Sequence, residues 1–269
     1  MSRTAGVPSP AVSAAGFAGE PRLMAGTSGF GFKEWKGGFY PSDLPAERFL
    51  SFYASRLPTV EINASFYRMP AAETFETWKN QTPESFRFTI KAHRSITHMK
   101  RLRDVDENVR WLYDRVAVLG PRLGPVLFQF PPTFKRDLPL LQQFLAGLPP
   151  LPYVALEFRH ATWHDDAVYE TLRAYRAALC IAEDDDSADP RVHTARWGYY
   201  RLHRLKYTDE QIAAWAEHLA GVPELRPVFC YFTHDTGPEA ITYAERLMAL
   251  ASGADAASHS QEDLRPRTG

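Results

Sequence analysis

Charged and polar side chains recur at alternate positions of short apolar runs in this chain. In Val60-Glu61-Ile62-Asn63 the aliphatic residues point one way, which sends Glu61 and Asn63 the other. Phe88-Thr89-Ile90-Lys91 presents Lys91 by the same rule, with His93 and His98 beyond it. Phe128-Gln129-Phe130 offers a neutral amide. Leu156-Glu157-Phe158-Arg159 puts a carboxylate and a guanidinium on one face, followed by His160 and Trp163. Tyr200-Arg201-Leu202-His203 adds a cation and an imidazole, and the last run ends in Tyr231, then Thr233-His234-Asp235. Gly26-Thr27-Ser28-Gly29 is a small polar turn whose amides and hydroxyls could hold a ligand oxygen.

Two carboxylates in different surroundings, Glu61 and Glu157, suit divided general acid and base work. Lys91 suits an anion clamp, a base or a Schiff-base nucleophile, or simply neutralises Glu61. Arg159 and Arg201 would hold an anion and stabilise developing charge. Thr27, Ser28, Asn63, His98, Gln129, His160 and His203 supply hydrogen bonds, and Tyr67, Trp163 and Tyr231 could pack against a ring. Plainer readings stand beside these. Glu61 could form a structural ion pair, 26–29 an ordinary turn, and the basic run His98, Lys100, Arg101, Arg103 a solvated surface.

Positioning these groups together requires a particular architecture. Eight runs read as strands: Arg22–Gly26, Thr59–Ala64, Arg87–Lys91, Val126–Phe130, Tyr153–Phe158, Ala178–Ala182, Tyr199–His203 and Val228–Phe232. Helical stripes fall between most of them. Phe49, Leu50, Tyr53 and Leu57 share a face, as do Val105, Val109, Leu112, Val116 and Leu119 ahead of Gly120. Asp137 caps a third helix, Val168, Leu172 and Tyr175 mark a fourth, and Thr208 with Gln211 forms a capping box for a fifth. Pro238 opens a last helix expected to end near Leu250. The pattern predicts a (β/α)8 TIM-type barrel over 22–252, flanked by flexible tails at 1–21 and 253–269. The crossover Asp184–Trp197 has no helical period, so an irregular connection is expected between the sixth and seventh strands. In a barrel the inner-facing groups at the strand ends gather at one mouth. A core needs none of them, because apolar replacement of buried ion pairs is usually neutral or stabilising.

Composition narrows the partners. The 269 residues carry 31 basic and 32 acidic side chains, a net charge of -1, which disfavours bulk electrostatic coating of nucleic acid or membrane. No apolar stretch approaches a membrane span, and the first twenty residues do not read as a secretory signal. Cys180 and Cys230 lie in apolar strands and match no zinc spacing, so free buried thiols in the cytoplasm are expected. No Gly-x-Gly-x-x-Gly turn follows the first strand, and no cofactor or metal set is read.

Several segments, in order, resemble the family called domain of unknown function 72, or YecE-like proteins. They are Gly26-Thr27-Ser28-Gly29-Phe30, Trp35 with Gly38-Phe39-Tyr40-Pro41, Val60 through Arg68, and Lys91 with Thr97-His98. Pro125 through Pro132, Glu157-Phe158-Arg159-His160 with Trp163, and Tyr231-Phe232 complete the match. The resemblance implies a TIM-type barrel, bacterial or archaeal and cytoplasmic, and implies no reaction. Thr233 and His234 stand where the family usually has two asparagines, and its acid after the sixth strand appears here as Glu183 within Glu183-Asp184-Asp185-Asp186.

The residues thus favour a metal-independent enzyme for a small anionic, phosphorylated or sugar-like substrate. One alternative is a metal-dependent barrel of the sugar-isomerase or endonuclease kind, using Glu61, Glu157, His203 and an acid from 183–186. The other is a non-catalytic nucleic-acid or ligand-binding module using the basic run, disfavoured by the neutral charge.

Overall fold

Eight parallel strands close into a barrel in sequence order in a computed structural model that describes residues 21–233 and 237–262. They are β1 (Leu23–Thr27), β2 (Thr59–Ile62), β3 (Arg87–Lys91), β4 (Leu123–Phe130), β5 (Tyr153–Phe158), β6 (Ala178–Glu183), β7 (Gly198–Leu202) and β8 (Val228–Phe232). Closure is made by β8 against β1, with Leu23 opposite Val228 and Thr27 opposite Phe232. The helices are α1 (Phe49–Ala54), α2 (Ala64–Tyr67), α3 (Ala72–Asn80), α4 (Asp106–Val116), α5 (Leu138–Ala146), α6 (Asp166–Ala174), α7 (Asp209–Ala220) and α8 (Glu239–Glu262). This is a TIM-type α/β barrel.

Local signals account for most helix ends. Asp137 accepts the Leu140 amide at 3.2 Å, and Thr208 and Gln211 form a reciprocal capping box. Each such cap is worth about 1 kcal/mol. α4 tightens into a 3-10 turn and stops at Gly120, whose φ of 54° suits glycine. Between β6 and β7 no helix forms, as the aperiodic sequence requires.

One expectation is corrected, and one helix carries no sequence signal. The last helix continues past Leu250 to Glu262, so 253–262 is helical rather than a tail. Alanines at 251, 254, 256 and 257 favour that extension. α3 went unread because only Phe75 of its residues is buried, which leaves little periodic signal. Residues 1–20 of the expected N-terminal tail (1–21), His234, Asp235 and 263–269 lie outside the described residues.

The core has two parts. Outward-facing strand residues such as Val60, Ile90, Phe128 and Leu156 pack against the helices. Inside, Met24, Leu127, Tyr153, Cys180, Tyr199, Phe229 and Tyr231 fill the lower barrel. Both cysteines are free and buried. With the lower barrel filled, the polar residues at the carboxyl ends of the strands form its upper layer. Among the described residues no helix is long and apolar enough to cross a membrane.

Candidate functional site

The inward alternation of β2, β5 and β7 brings Glu61, Glu157 and Arg201 into one ionic group. Arg201 is 3% exposed and bridges both carboxylates: Nε and Nη2 donate to Glu61 at 3.1 and 3.0 Å, and Nη1 donates to Glu157 at 2.7 Å. Glu61 is fully buried and also accepts from Tyr199 Oη at 2.5 Å and Ser28 Oγ at 2.8 Å. Glu157 also accepts from Gln129 Nε2 at 2.6 Å and Arg159 Nε at 2.9 Å. Burial alone would raise both carboxyl pKa values. The Arg201 charge and these donors win, holding Glu61 at about 2 and Glu157 well below the usual carboxylate range. Both are therefore fixed anions. The division of acid and base work expected of them does not fit, because groups held so low neither release nor take up a proton usefully near neutrality. Their geometry instead orients Arg201 and Arg159.

Above this floor the groups are looser. Lys91 is partly buried, and its Nζ sits 4.5 Å from the Phe66 ring centroid. Burial and then the Arg201 charge lower its pKa to about 8, against the opposing pull of Glu61 and Glu157. His98 packs edge-on against Phe66 at 4.8 Å, accompanies Thr97 Oγ1 at 2.9 Å, and is depressed by burial and by Lys91. His203 approaches Ser28 Oγ at 3.2 Å, and burial and Arg201 push it down to about 3, so it is neutral. Asn63 Oδ1 is buried with no hydrogen-bond partner among the described residues. Such an acceptor invites a donor from a ligand.

Arg159 stands at the entrance, with its side chain 52% exposed and, among the described residues, one ion pair, to Glu157. It borders a cavity of about 600 Å³ that also touches Arg201 and His203. The far wall of the cavity is the β6–β7 crossover, which folds back on its own strand. The Asp189 amide donates to Ala182 O at 2.8 Å, and Asp189 Oδ2 accepts the Ala182 amide at 3.2 Å. Asp184 Oδ1 closes the preceding turn by accepting from the Asp186 and Ser187 amides at 3.0 and 2.8 Å. Burial raises Asp189 to about 6, only partly offset by the Ala182 amide and by His164, whose Nε2 lies 3.8 Å away. Asp189 and His164 were not singled out from the sequence. The one signal was that this crossover, with its acids and Pro190, could not be a helix.

Several expected ligand groups are placed elsewhere. The hydroxyl of Thr27 faces the helix layer, 2.9 Å from Tyr53 Oη and 2.6 Å from Gly29 O. Tyr231 points inward but lies a layer lower, sealed at 0% exposure between Thr59 and Thr89 hydroxyls at 2.8 and 2.5 Å. Trp163 is buried outside the barrel, stacked on Phe158 at 4.4 Å with its Nε1 donating to Phe134 O. His160 caps the turn that carries Trp163, through its Nδ1 and the Thr162 amide at 3.2 Å. Tyr67 is 67% exposed on the rim. In the basic run, Lys100 bonds Asp104 O, Arg101 bonds Thr133 Oγ1 and Arg103 pairs with Asp137. For the metal alternative, Glu183 turns outward to Tyr207, Trp215 and Arg204. Among the described residues no three His, Cys, Asp or Glu side chains converge as a metal set.

Fold and site together define a TIM-type barrel with a buried Glu–Arg–Glu floor under an open mouth of mixed charge at the carboxyl ends of its strands. The chain belongs to the family described as protein of unknown function DUF72, which it matches over residues 24–267. It is 26% identical over 270 residues to UPF0759 protein YunF of Bacillus subtilis, spanning 85% of this chain and 94% of that one. UPF0759 protein YecE of Escherichia coli K12 is 38% identical over 112 residues, 41% of each chain. In fold it is similar to the crystal structure of a DUF72 family protein from Thermotoga maritima. The TM-score is 0.72 at 24% identity, covering 86% of this chain and all of that one.

Proposed function

We propose that this barrel is a cytoplasmic, metal-independent enzyme acting on a small anionic substrate, phosphorylated or sugar-like, at the carboxyl ends of its strands. The supporting observation is Arg159: a half-exposed guanidinium, fixed at one nitrogen by buried Glu157, borders an open cavity beside Arg201. Such a fork matches phosphate or carboxylate oxygens. Lys91, at the end of β3, adds a second positive charge below pH 8. Proton transfer falls to Lys91 and Asp189, because these are the groups whose environments bring them near neutrality. Glu61 and Glu157 position the cations. Their oxygens are occupied by Arg201, Tyr199, Ser28, Gln129 and Arg159, which disfavours their use as metal ligands.

A thermal-shift screen over sugar phosphates, nucleotides and oligosaccharides tests the reading. A true ligand raises the melting temperature with the logarithm of its concentration over Kd. Arg159→Ala should abolish that rise for a ligand of this mouth while the fold is kept, because buried Glu157 retains Arg201 and Gln129, at a cost of about 1–3 kcal/mol for the lost charge-assisted bond. A screen in which no small anion shifts the protein refutes the proposal.

A further inference from the structure

A second cavity, of about 930 Å³, lies at the opposite end of the barrel, where the chain enters β5, β6, β7 and β8. The connection from α5 into β5 contributes apolar side chains, Leu145, Leu148 and Pro149. The segments leading into β6, β7 and β8 contribute Arg173, Arg176, Arg196 and Arg226, with Glu224 the only carboxylate among the described lining residues. All four arginines are exposed, and among the described residues none forms an ion pair. In a chain that balances 31 basic against 32 acidic residues, four guanidiniums around one hollow with no ion pair among the described residues, one of them (Arg226) bonded to Pro223 O, are a local departure.

Arg176 adds an independent observation. It follows the C-cap Tyr175 of α6 and has a φ of 55°, the left-handed conformation that favours glycine at this position. A long cation there holds the turn in a strained state that glycine would relieve, and strain of this kind collects at ligand sites.

We propose that this N-terminal cavity is a second binding site, for an amphipathic phosphate whose head group meets the arginines and whose apolar body lies on the leucine and proline side chains. TIM barrels carry their chemistry at the other end, so this site serves binding rather than turnover. The body could be a flat ring or an alkyl chain. Both present the same head.

Calorimetric titration of the full chain with AMP, dodecyl phosphate and inorganic phosphate tests this. Saturable binding of AMP or dodecyl phosphate, about tenfold tighter than inorganic phosphate, is expected, and whichever binds identifies the body. Arg176→Gly should weaken that binding about tenfold while the circular dichroism spectrum is kept and the melting temperature holds or rises. Arg196→Ala/Arg226→Ala should weaken it further. Arg159→Ala, at the other mouth, should leave it unchanged, which separates this site from the one proposed above. Failure of both amphipathic phosphates to saturate overturns the proposal, as does an affinity unchanged in both arginine variants.

Discussion

Replacing Arg201 with methionine removes the one cation between two carboxylates that are 0% and 2% exposed. Three charge-assisted bonds go with it, at 2.7, 3.0 and 3.1 Å. Each is worth roughly 1.5–3 kcal/mol, and breaking a buried pair by removing one partner costs about 3–5 kcal/mol. Two carboxylates are stranded here, but one proton shared between them limits the damage, so the loss should be about 5 kcal/mol at pH 8. That proton also gives a signature. In the wild type Glu61 is held at about 2, below its ordinary 4.5, so its contribution is complete above pH 4.5 and is lost as pH falls through about 2. In the variant the stranded pair takes a folded-state pKa above 4.5. Its stability contribution then grows as pH falls from 8 towards 5, by about 3 kcal/mol if the pair titrates near 7. Denaturant unfolding of both proteins at pH 8, 6.5 and 5 measures this directly. The gap between them should narrow on acidification. A loss below about 1 kcal/mol, or a gap that does not change with pH, would mean that the two carboxylates do not depend on Arg201.

Three further outcomes follow from the same groups. Because burial and Arg201 hold Lys91 near 8, anion affinity at the carboxyl-end mouth should fall as pH rises from 7 to 9, and Lys91→Met should remove that fall; titrations at fixed ionic strength check it. Asp189 has its folded-state pKa raised from 3.8 to about 6, so its contribution is full below 3.8 and lost as pH rises through 6. Asp189→Asn should therefore match the wild type near pH 4 and be more stable by about 2 kcal/mol at pH 8, as unfolding curves at the two pH values would record. At the opposite face, Arg176→Gly should stabilise the chain by about 1 kcal/mol, read from the unfolding midpoint, because glycine adopts the φ of 55° without a Cβ clash.

Much of the upper layer was legible because strand alternation is a strict period of two. It set Glu61, Lys91, Gln129, Glu157 and Arg201 on the inner face from their apolar neighbours alone. Alternation gives direction and not depth. Tyr231 faces inward as expected, yet closes the barrel below the floor, bonded to Thr59 and Thr89. It also ends where the strand ends. His160 and Trp163 sit in a 3-10 turn after β5, so their directions could not be extrapolated from Glu157, and Trp163 went to the helix layer. The segment 26–29 is not one continuous rim, and Thr27 leaves it for the helix layer. Val60, which faces the helices, lies opposite Thr27 in the β1–β2 register, so Thr27 faces them too. Gly26 serves β2 rather than a ligand, since a Cβ there would lie 2.1 Å from Thr59 O. Asp189 was invisible for another reason. An aperiodic crossover shows that a helix is absent but not where the chain returns.

The charge on the mouth explains why recognition there must be directional. Glu61 and Glu157 cancel Arg201 and Arg159, Lys91 adds a positive charge below about pH 8, and Asp184, joined by Asp189 above about pH 6, opposes it. Near neutrality the mouth has little net charge with which to attract an anion. Selectivity then rests on fixed geometry: Arg201 clamped on both sides, Arg159 tied at Nε, and Asn63 Oδ1, a buried acceptor without a partner among the described residues. A site of this kind discriminates by the placement of oxygens and hydroxyls rather than by total charge. Among substrates of equal charge, those carrying a hydroxyl able to donate to Asn63 Oδ1 should bind more tightly than their deoxy counterparts, and Asn63→Ala should erase that difference; equal affinity for both kinds in the wild type would place the selectivity elsewhere.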